Sequence, residues 1–236
     1  MTLYKKLITD YNQELDHSGV SGERLATRLD QLSKIGTQEN KGITRLGYSV
    51  EEKQAKELVI EWMKQAGLKV TMDGAGNIFG RLEGINDGPA VMSGSHLDSV
   101  PNGGNFDGPL GVLAALEVVE AWKAIGYTPP TPYEVAIFSD EEGSRFNAGL
   151  TGSEAFMGKW TNEALDQLID EDGNSLDDVL EIYNSNRGEF LLPSSKDKNI
   201  KLFVEVHIEQ GTVLEKHNLP VGIVSGIAGP AWLEVT

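Results

Sequence analysis

Ala90-Val91-Met92-Ser93-Gly94-Ser95-His96-Leu97-Asp98 begins as a buried strand and closes on an imidazole and a carboxylate. What surrounds it decides the fold. From residue 110 to 122 the apolar residues are too dense for a surface helix, which predicts a helix laid against a sheet on one broad face. Residues 134–139 alternate weakly as the next strand and lead into Asp140-Glu141-Glu142-Gly143. Upstream, Ser49 followed by Glu52 is a capping-box pattern for a helix that Gly67 would stop. Residues 68–72 and 78–82 fit a hairpin around Asp73-Gly74-Ala75-Gly76-Asn77. Residues 3–35 carry helical spacing, as at Leu25, Leu29 and Leu32. Downstream, helices are expected at 153–157 and 177–184, a strand at 202–208 and a short helix at 213–217. Alternating strands and helices predict an α/β fold: a three-layer catalytic domain with a central, largely parallel mixed sheet flanked by helices. Sites in such sheets gather beyond the carboxyl ends of the strands, where residues 96, 140 and 207 would meet.

Composition narrows the chemistry. The 236 residues contain no cysteine, which excludes disulfides and thiolate ligands and leaves nitrogen and oxygen donors for a metal. A formal charge of −16 with no segregated basic patch argues against nucleic acid as a partner. No apolar run reaches membrane-span length and the first residues lack a signal-peptide core, so no membrane partner is expected and the expected compartment is the cytoplasm. Residues 221–227 and 231–236 read as strands, the second unfinished at Thr236, which predicts a fragment of a longer protein.

Four stretches carry candidate chemistry: Gly94 to Asp98, Phe106-Asp107-Gly108, Ser139 to Gly143, and His207-Ile208-Glu209-Gln210-Gly211. On an extended backbone His96 and Asp98 point the same way, so Asp98 can accept the ring N–H of His96 and leave the other nitrogen for a metal. Asp107 lies among Gly103, Gly104 and Gly108, a flexible setting for a carboxylate that bridges two cations. It also fits an N-cap, since Gly-Pro and an apolar run follow. Glu141 and Glu142 diverge at a strand end, which suits one for metal binding and the other for proton transfer. Gln210 beside His207 offers an amide to a carbonyl or ureido group. Each motif also has a plainer reading, as a core histidine, a cap or a solvated acidic turn. Their convergence on one sheet edge favours the dinuclear reading.

At these residues the chain resembles the metallopeptidase family that includes aminoacylase and carboxypeptidase G. It is most similar to the amidohydrolase branch of N-carbamoyl-L-amino-acid hydrolase, β-ureidopropionase and allantoate amidohydrolase, with His207 as the branch marker. The resemblance implies that Asp107 bridges two divalent ions (Zn2+ or Mn2+, with Co2+ or Ni2+ as alternatives). His96 and His207 would complete one site and Glu142 would bind the second ion. Glu141 would be the general base, Asp98 would orient His96 and Gln210 would contact substrate. The implied reaction is hydrolysis of a linear C–N bond of an N-carbamoyl amino acid or allantoate by metal-activated water. An aminoacylase or dipeptidase with the same centre, and a non-catalytic metal-binding fragment, remain open alternatives. The resemblance further implies that residues 1–230 are a catalytic domain lacking its C-terminal return, and that 231–236 begin a truncated lid and dimerisation domain. On that basis the second metal site is incomplete, the full-length form is a homodimer, and this piece is weakly active or inactive alone.

Overall fold

A computed structural model of the chain describes residues 1–39, 42–227 and 229. Five strands, β1 (Lys69–Met72), β2 (Ile78–Leu82), β3 (Ala90–His96), β4 (Tyr133–Phe138) and β5 (Ile200–Val204), form one sheet in the order β1-β2-β4-β3-β5. β3 is parallel to both β4 and β5, whereas β1 and β2 pair antiparallel and β2 meets β4 antiparallel. The sheet is therefore mixed, and its parallel half carries the motifs. The hairpin forms as its sequence predicts, with Asp73 Oδ1 accepting the backbone N–H groups of Ala75 and Asn77 across the turn.

Helices cover both faces. α1 (Leu3–Leu7), α2 (Gly22–Leu32), α3 (Val50–Ala66) and α4 (Pro109–Ile125) pack on one, where Leu29, Leu32, Val59, Met63, Val112 and Leu116 bury against Ile78, Val135 and Ile137. Each such side chain contributes roughly 1.5–3 kcal/mol. α5 (Thr151–Met157) closes the other face, with Phe156 packed on Phe79 and Phe138. A smaller cluster of Tyr48, Phe146, Leu176, Tyr183 and Phe190 binds in α6 (Asn162–Leu165), α7 (Leu176–Leu180) and α8 (Arg187–Phe190). α9 (Val213–Lys216) follows β5.

Several boundaries differ from expectation. Residues 3–35 form two helices separated by a 3-10 turn at Gln13–Leu15, because Gly19 takes a positive φ of 83° and Ser21 caps α2 through the N–H of Arg24. The helix expected at 177–184 closes at Leu180 and tightens into a 3-10 turn, Glu181–Tyr183. Ser49 does cap α3, accepting from the N–H of Glu52, but the Glu52 carboxylate accepts from Tyr48 N–H one residue earlier than a capping box requires. β5 stops at Val204, short of residue 208, since Glu205 there turns to accept the Ser95 hydroxyl. Residues 221–227 form no strand; Ile223, Val224 and Ile227 are exposed and pair with no strand among the described residues. The segment 231–236 lies outside the described residues.

One buried ion pair ties α3 to the end of β4. The Lys56 ammonium, 1% exposed, lies 2.7 Å from Glu52, donates to Ser139 Oγ at 2.7 Å and Gly76 O at 3.1 Å, and sits over the Tyr183 ring. Glu52 in turn accepts from Tyr183 Oη. Removing one charge strands the other in the core. Lys56→Met is expected to lower stability by about 3–5 kcal/mol in urea unfolding, with part of the loss recovered in Glu52→Gln/Lys56→Met. A single-variant loss near zero would contradict this role.

Candidate metal centre

Because β3, β4 and β5 are parallel, their carboxyl ends lie on one edge. His96 is the last residue of β3, the acidic loop follows β4, and His207 follows β5. Ligand atoms of His96, Asp107 and His207 all lie within 4.8 Å of one another. The geometry thus joins three of the four expected metal ligands.

Both histidines point the same nitrogen inward. His96 Nδ1 is 3.0 Å from the Asp98 carbonyl and 3.4 Å from Asp98 Oδ1, and both are acceptors, so Nδ1 carries a proton and Nε2 is the nitrogen whose proton a metal would displace. His207 Nδ1 likewise faces Ile208 O at 2.7 Å, and its Nε2 is 3.2 Å from Asp107 Oδ1. That oxygen is buried and accepts no hydrogen bond. Asp107 is not the helix cap that its sequence also fits. α4 caps on Gly108 without a side-chain bond, and the Asp107 carboxylate turns to the histidines. Gly108 has φ +80°, and a Cβ there would lie 2.6 Å from His96 Cε1 and Nδ1, so only glycine lets α4 start against the imidazole. Two imidazole nitrogens around an unsatisfied carboxylate oxygen fit a divalent cation in donor type and placement.

The field at this edge also favours positive charge. Burial opposes protonation of His96, yet the hydrogen bond and charge of Asp98, with the charge of Glu142, hold its pKa up at about 10. A cation bound beside Nε2 would feel the same field and replace that proton.

Asp98 does more than orient His96. Fully buried, it accepts the backbone N–H groups of Glu141 at 3.2 Å and Glu142 at 3.0 Å, which hold it ionised against the pull of burial, together with His96. The acidic loop is fixed from its other side by α5. The carbonyls of Ser139, Asp140 and Glu141 accept from the N–H groups of Gly152, Thr151 and Leu150, and Asp140 takes φ +51°.

The two glutamates occupy different environments. Glu141 accepts from Ser153 N–H and Oγ, at 2.8 and 2.9 Å, and burial outweighs those donors to push its pKa up to about 7. Glu142 is half-buried, and its charge faces His96, Asp107, Asp98 and His207. Its carboxylate stands outside the three-residue group. Gln210, expected to face substrate, donates its amide to Asp107 Oδ2 at 2.6 Å. Residues that the motifs did not signal complete the frame: Ser153 under Glu141, Glu205 on Ser95, and Arg45 on the Leu97 carbonyl. The contacts span 12, 110 and 52 residues, none of them a helix or strand repeat, so no local spacing marks them.

The chain is an α/β fold with a mixed five-stranded sheet, and a His/Asp/His group that could hold a metal lies at its strand ends. The chain belongs to peptidase family M20/M25/M40, whose model matches residues 92–234, and within it to the branch of N-carbamoyl-L-amino acid amidohydrolase, allantoate amidohydrolase and ureidoglycolate hydrolase. It is 48% identical over 218 residues to the N-carbamoyl-L-amino acid amidohydrolase of Geobacillus stearothermophilus, covering 92% of this chain and 53% of that protein. It is 35% identical over 234 residues to the allantoate amidohydrolase of Escherichia coli, covering 98% and 53%. The crystal structure of a hydantoinase/carbamoylase family amidase from Burkholderia ambifaria matches with a TM-score of 0.75 at 32% identity, covering 86% of this chain and 49% of that one. The chain thus spans about half the length of these relatives. No helix among the described residues is long and apolar enough to cross a membrane.

The raised Glu141 pKa fixes a sign. Between 4.5 and about 7 the unfolded chain loses the proton that the folded chain keeps, so this group's stabilising contribution is full below pH 4.5 and disappears as pH rises through 7. In metal-free protein, Glu141→Gln is expected to gain about 3 kcal/mol relative to the parent on going from pH 4.5 to pH 8. Parallel stability curves for the two proteins would show that Glu141 is not held protonated.

Proposed function

We propose that the protein is a metal-dependent amidohydrolase acting on a linear C–N bond of a small ureido compound, an N-carbamoyl-L-amino acid or allantoate. The observation that carries the reading is the grouping of His96 and His207 ring nitrogens with Asp107, whose buried Oδ1 accepts no hydrogen bond. The similarity to carbamoyl amino acid and allantoate hydrolases supports the bond type. His96, Asp107 and His207 would hold one divalent ion, and Asp107 with Glu142 would contribute to a second. Among the described residues one group of three such donors is present. A bound ion supplies Lewis acidity and brings the pKa of a held water to about 7.

The chain's own residues supply the rest. Glu141, with a pKa of about 7, accepts a proton near neutral pH and returns it to a leaving nitrogen. Asp98 keeps the His96 proton on Nδ1 and sets the loop from which both glutamates project. Gln210 holds Asp107 Oδ2, and on release from it the same amide would serve a ureido oxygen.

Purified chain supplied with Mn2+ or Zn2+ is expected to release ammonia from N-carbamoyl-L-amino acids or allantoate, more slowly than a full-length relative, and to leave dipeptides intact. Cleavage of dipeptides without ammonia from ureido compounds would move the assignment to an aminoacylase or dipeptidase. Metal binding with no turnover of either would make the chain a binding fragment. Glu141→Gln should lower turnover by about 10²–10⁴-fold with metal content unchanged, and loss of metal in that variant would reverse the roles of Glu141 and Glu142.

A further inference from the structure

Arg45 is 1% exposed, lies outside all four motifs, and carries a guanidinium into the core behind the candidate centre. Burying such a charge is expensive unless something fixed in place compensates it. Here its Nε donates to Leu97 O at 2.8 Å and its Nη1 to Leu32 O and Ile35 O, both at 3.1 Å. Its main chain joins the same turn: Arg45 N–H donates to Ser99 Oγ at 3.1 Å and Arg45 O accepts from Ser99 N–H at 2.8 Å.

Leu97 is the residue between His96 and Asp98. Arg45 therefore grips the turn 97–99 at a carbonyl, an N–H and a hydroxyl, while its charge faces Asp98 and Glu52. Asp98 is the acceptor for Glu141 and Glu142 and the partner of His96. A single buried cation thus stands one residue from the first metal ligand and behind the carboxylate that positions the acidic loop.

We infer that Arg45 is a positioning residue for the metal centre, orienting the His96-Leu97-Asp98 turn so that Nε2 of His96 meets Asp107 and His207. The inference rests on the metal reading proposed above. Its competitor is purely structural, since Leu32 O and Ile35 O lie at the end of α2 and Arg45 could simply fasten that helix.

Metal affinity and ligand geometry separate the two. Co2+ binding to the whole chain is measured by titration and by its visible absorption spectrum in the parent, in Arg45→Met, in Arg45→Lys, and in Leu32→Ala, which loosens the α2 end but keeps every hydrogen bond of Arg45 to the turn. If Arg45 positions the centre, Arg45→Met weakens Co2+ binding by about 10-fold or more and shifts the spectrum. Leu32→Ala would then lower Tm but bind within twofold of the parent with an unchanged spectrum. Should Arg45→Met not fold, Arg45→Lys, which keeps the cation but loses the fork of donors, is expected to show the same direction of change. Parent-like affinity and spectrum in the folded arginine variants overturn the inference, as does an equal loss in Leu32→Ala. A parent chain that binds no Co2+ fails earlier and differently, because it removes the metal reading itself.

Discussion

The candidate centre depends first on the Asp98 carboxylate. It is the junction between β3, which ends at His96, and β4, whose loop carries both glutamates. A buried carboxylate would ordinarily take a proton, and a protonated Asp98 would accept more weakly from the two backbone N–H groups because it would lose the charge that assists those bonds. The N–H groups of Glu141 and Glu142 and the ring of His96 keep it ionised instead. Charge-assisted hydrogen bonds of this kind contribute roughly 1.5–3 kcal/mol each, and here they also set direction. With Asp98 fixed, the His96 ring has one orientation and the acidic loop has one origin.

The third strand is attached by a different device. β5 is an edge strand whose Leu202, Phe203 and Val204 remain substantially exposed, and His207 sits in the loop beyond it. That loop is brought to the others by the Ser95 hydroxyl on Glu205, by Gln210 on Asp107, and by Gly111, where a Cβ would fall 2.7 Å from Val206 O. The site therefore has a buried, heavily bonded side, His96 and Asp98, and a more exposed side, His207 and Gln210. Fewer bonds hold the second side, so its local opening free energy should be lower.

Much of the fold was legible because its signals are local. The hairpin around residues 73–77, the Ser49 start and Gly67 stop of α3, and the buried helix after Pro109 all follow from capping, turn chemistry and apolar density. Where local pattern failed, a tertiary contact had won. Helical spacing across 3–35 is broken at Gly19, which packs against the Ala121 carbonyl of α4. Glu52 leaves the capping box because Lys56 and Tyr183 claim its carboxylate. Asp107 forgoes the cap that Gly-Pro invites, and Gly108 takes the position. At the site, residue types and motif order pointed to the sheet edge at which His96, Asp107 and His207 lie together. Ser153, Glu205 and Arg45 were not legible, since a serine, a glutamate and an arginine carry no sign of what they meet 12, 110 or 52 residues away.

The neighbouring glutamates show how one peptide step can divide labour. Their backbone N–H groups serve the same acceptor, so their main chains are equally fixed. Their side chains then part. Glu141 enters a buried pocket at the start of α5, where Ser153 is too weak a compensation to hold the charge and the pKa rises to about 7. Glu142 stays half-buried among His96, Asp107, Asp98 and His207, where opposite and like charges both act on it. A carboxyl that exchanges its proton near neutrality suits acid-base work, and one facing two imidazoles suits a cation. Two adjacent residues of the same type acquire different chemistry because the strand end sends them to different dielectric surroundings, and that divergence requires the loop to be anchored at its backbone, as Asp98 anchors it.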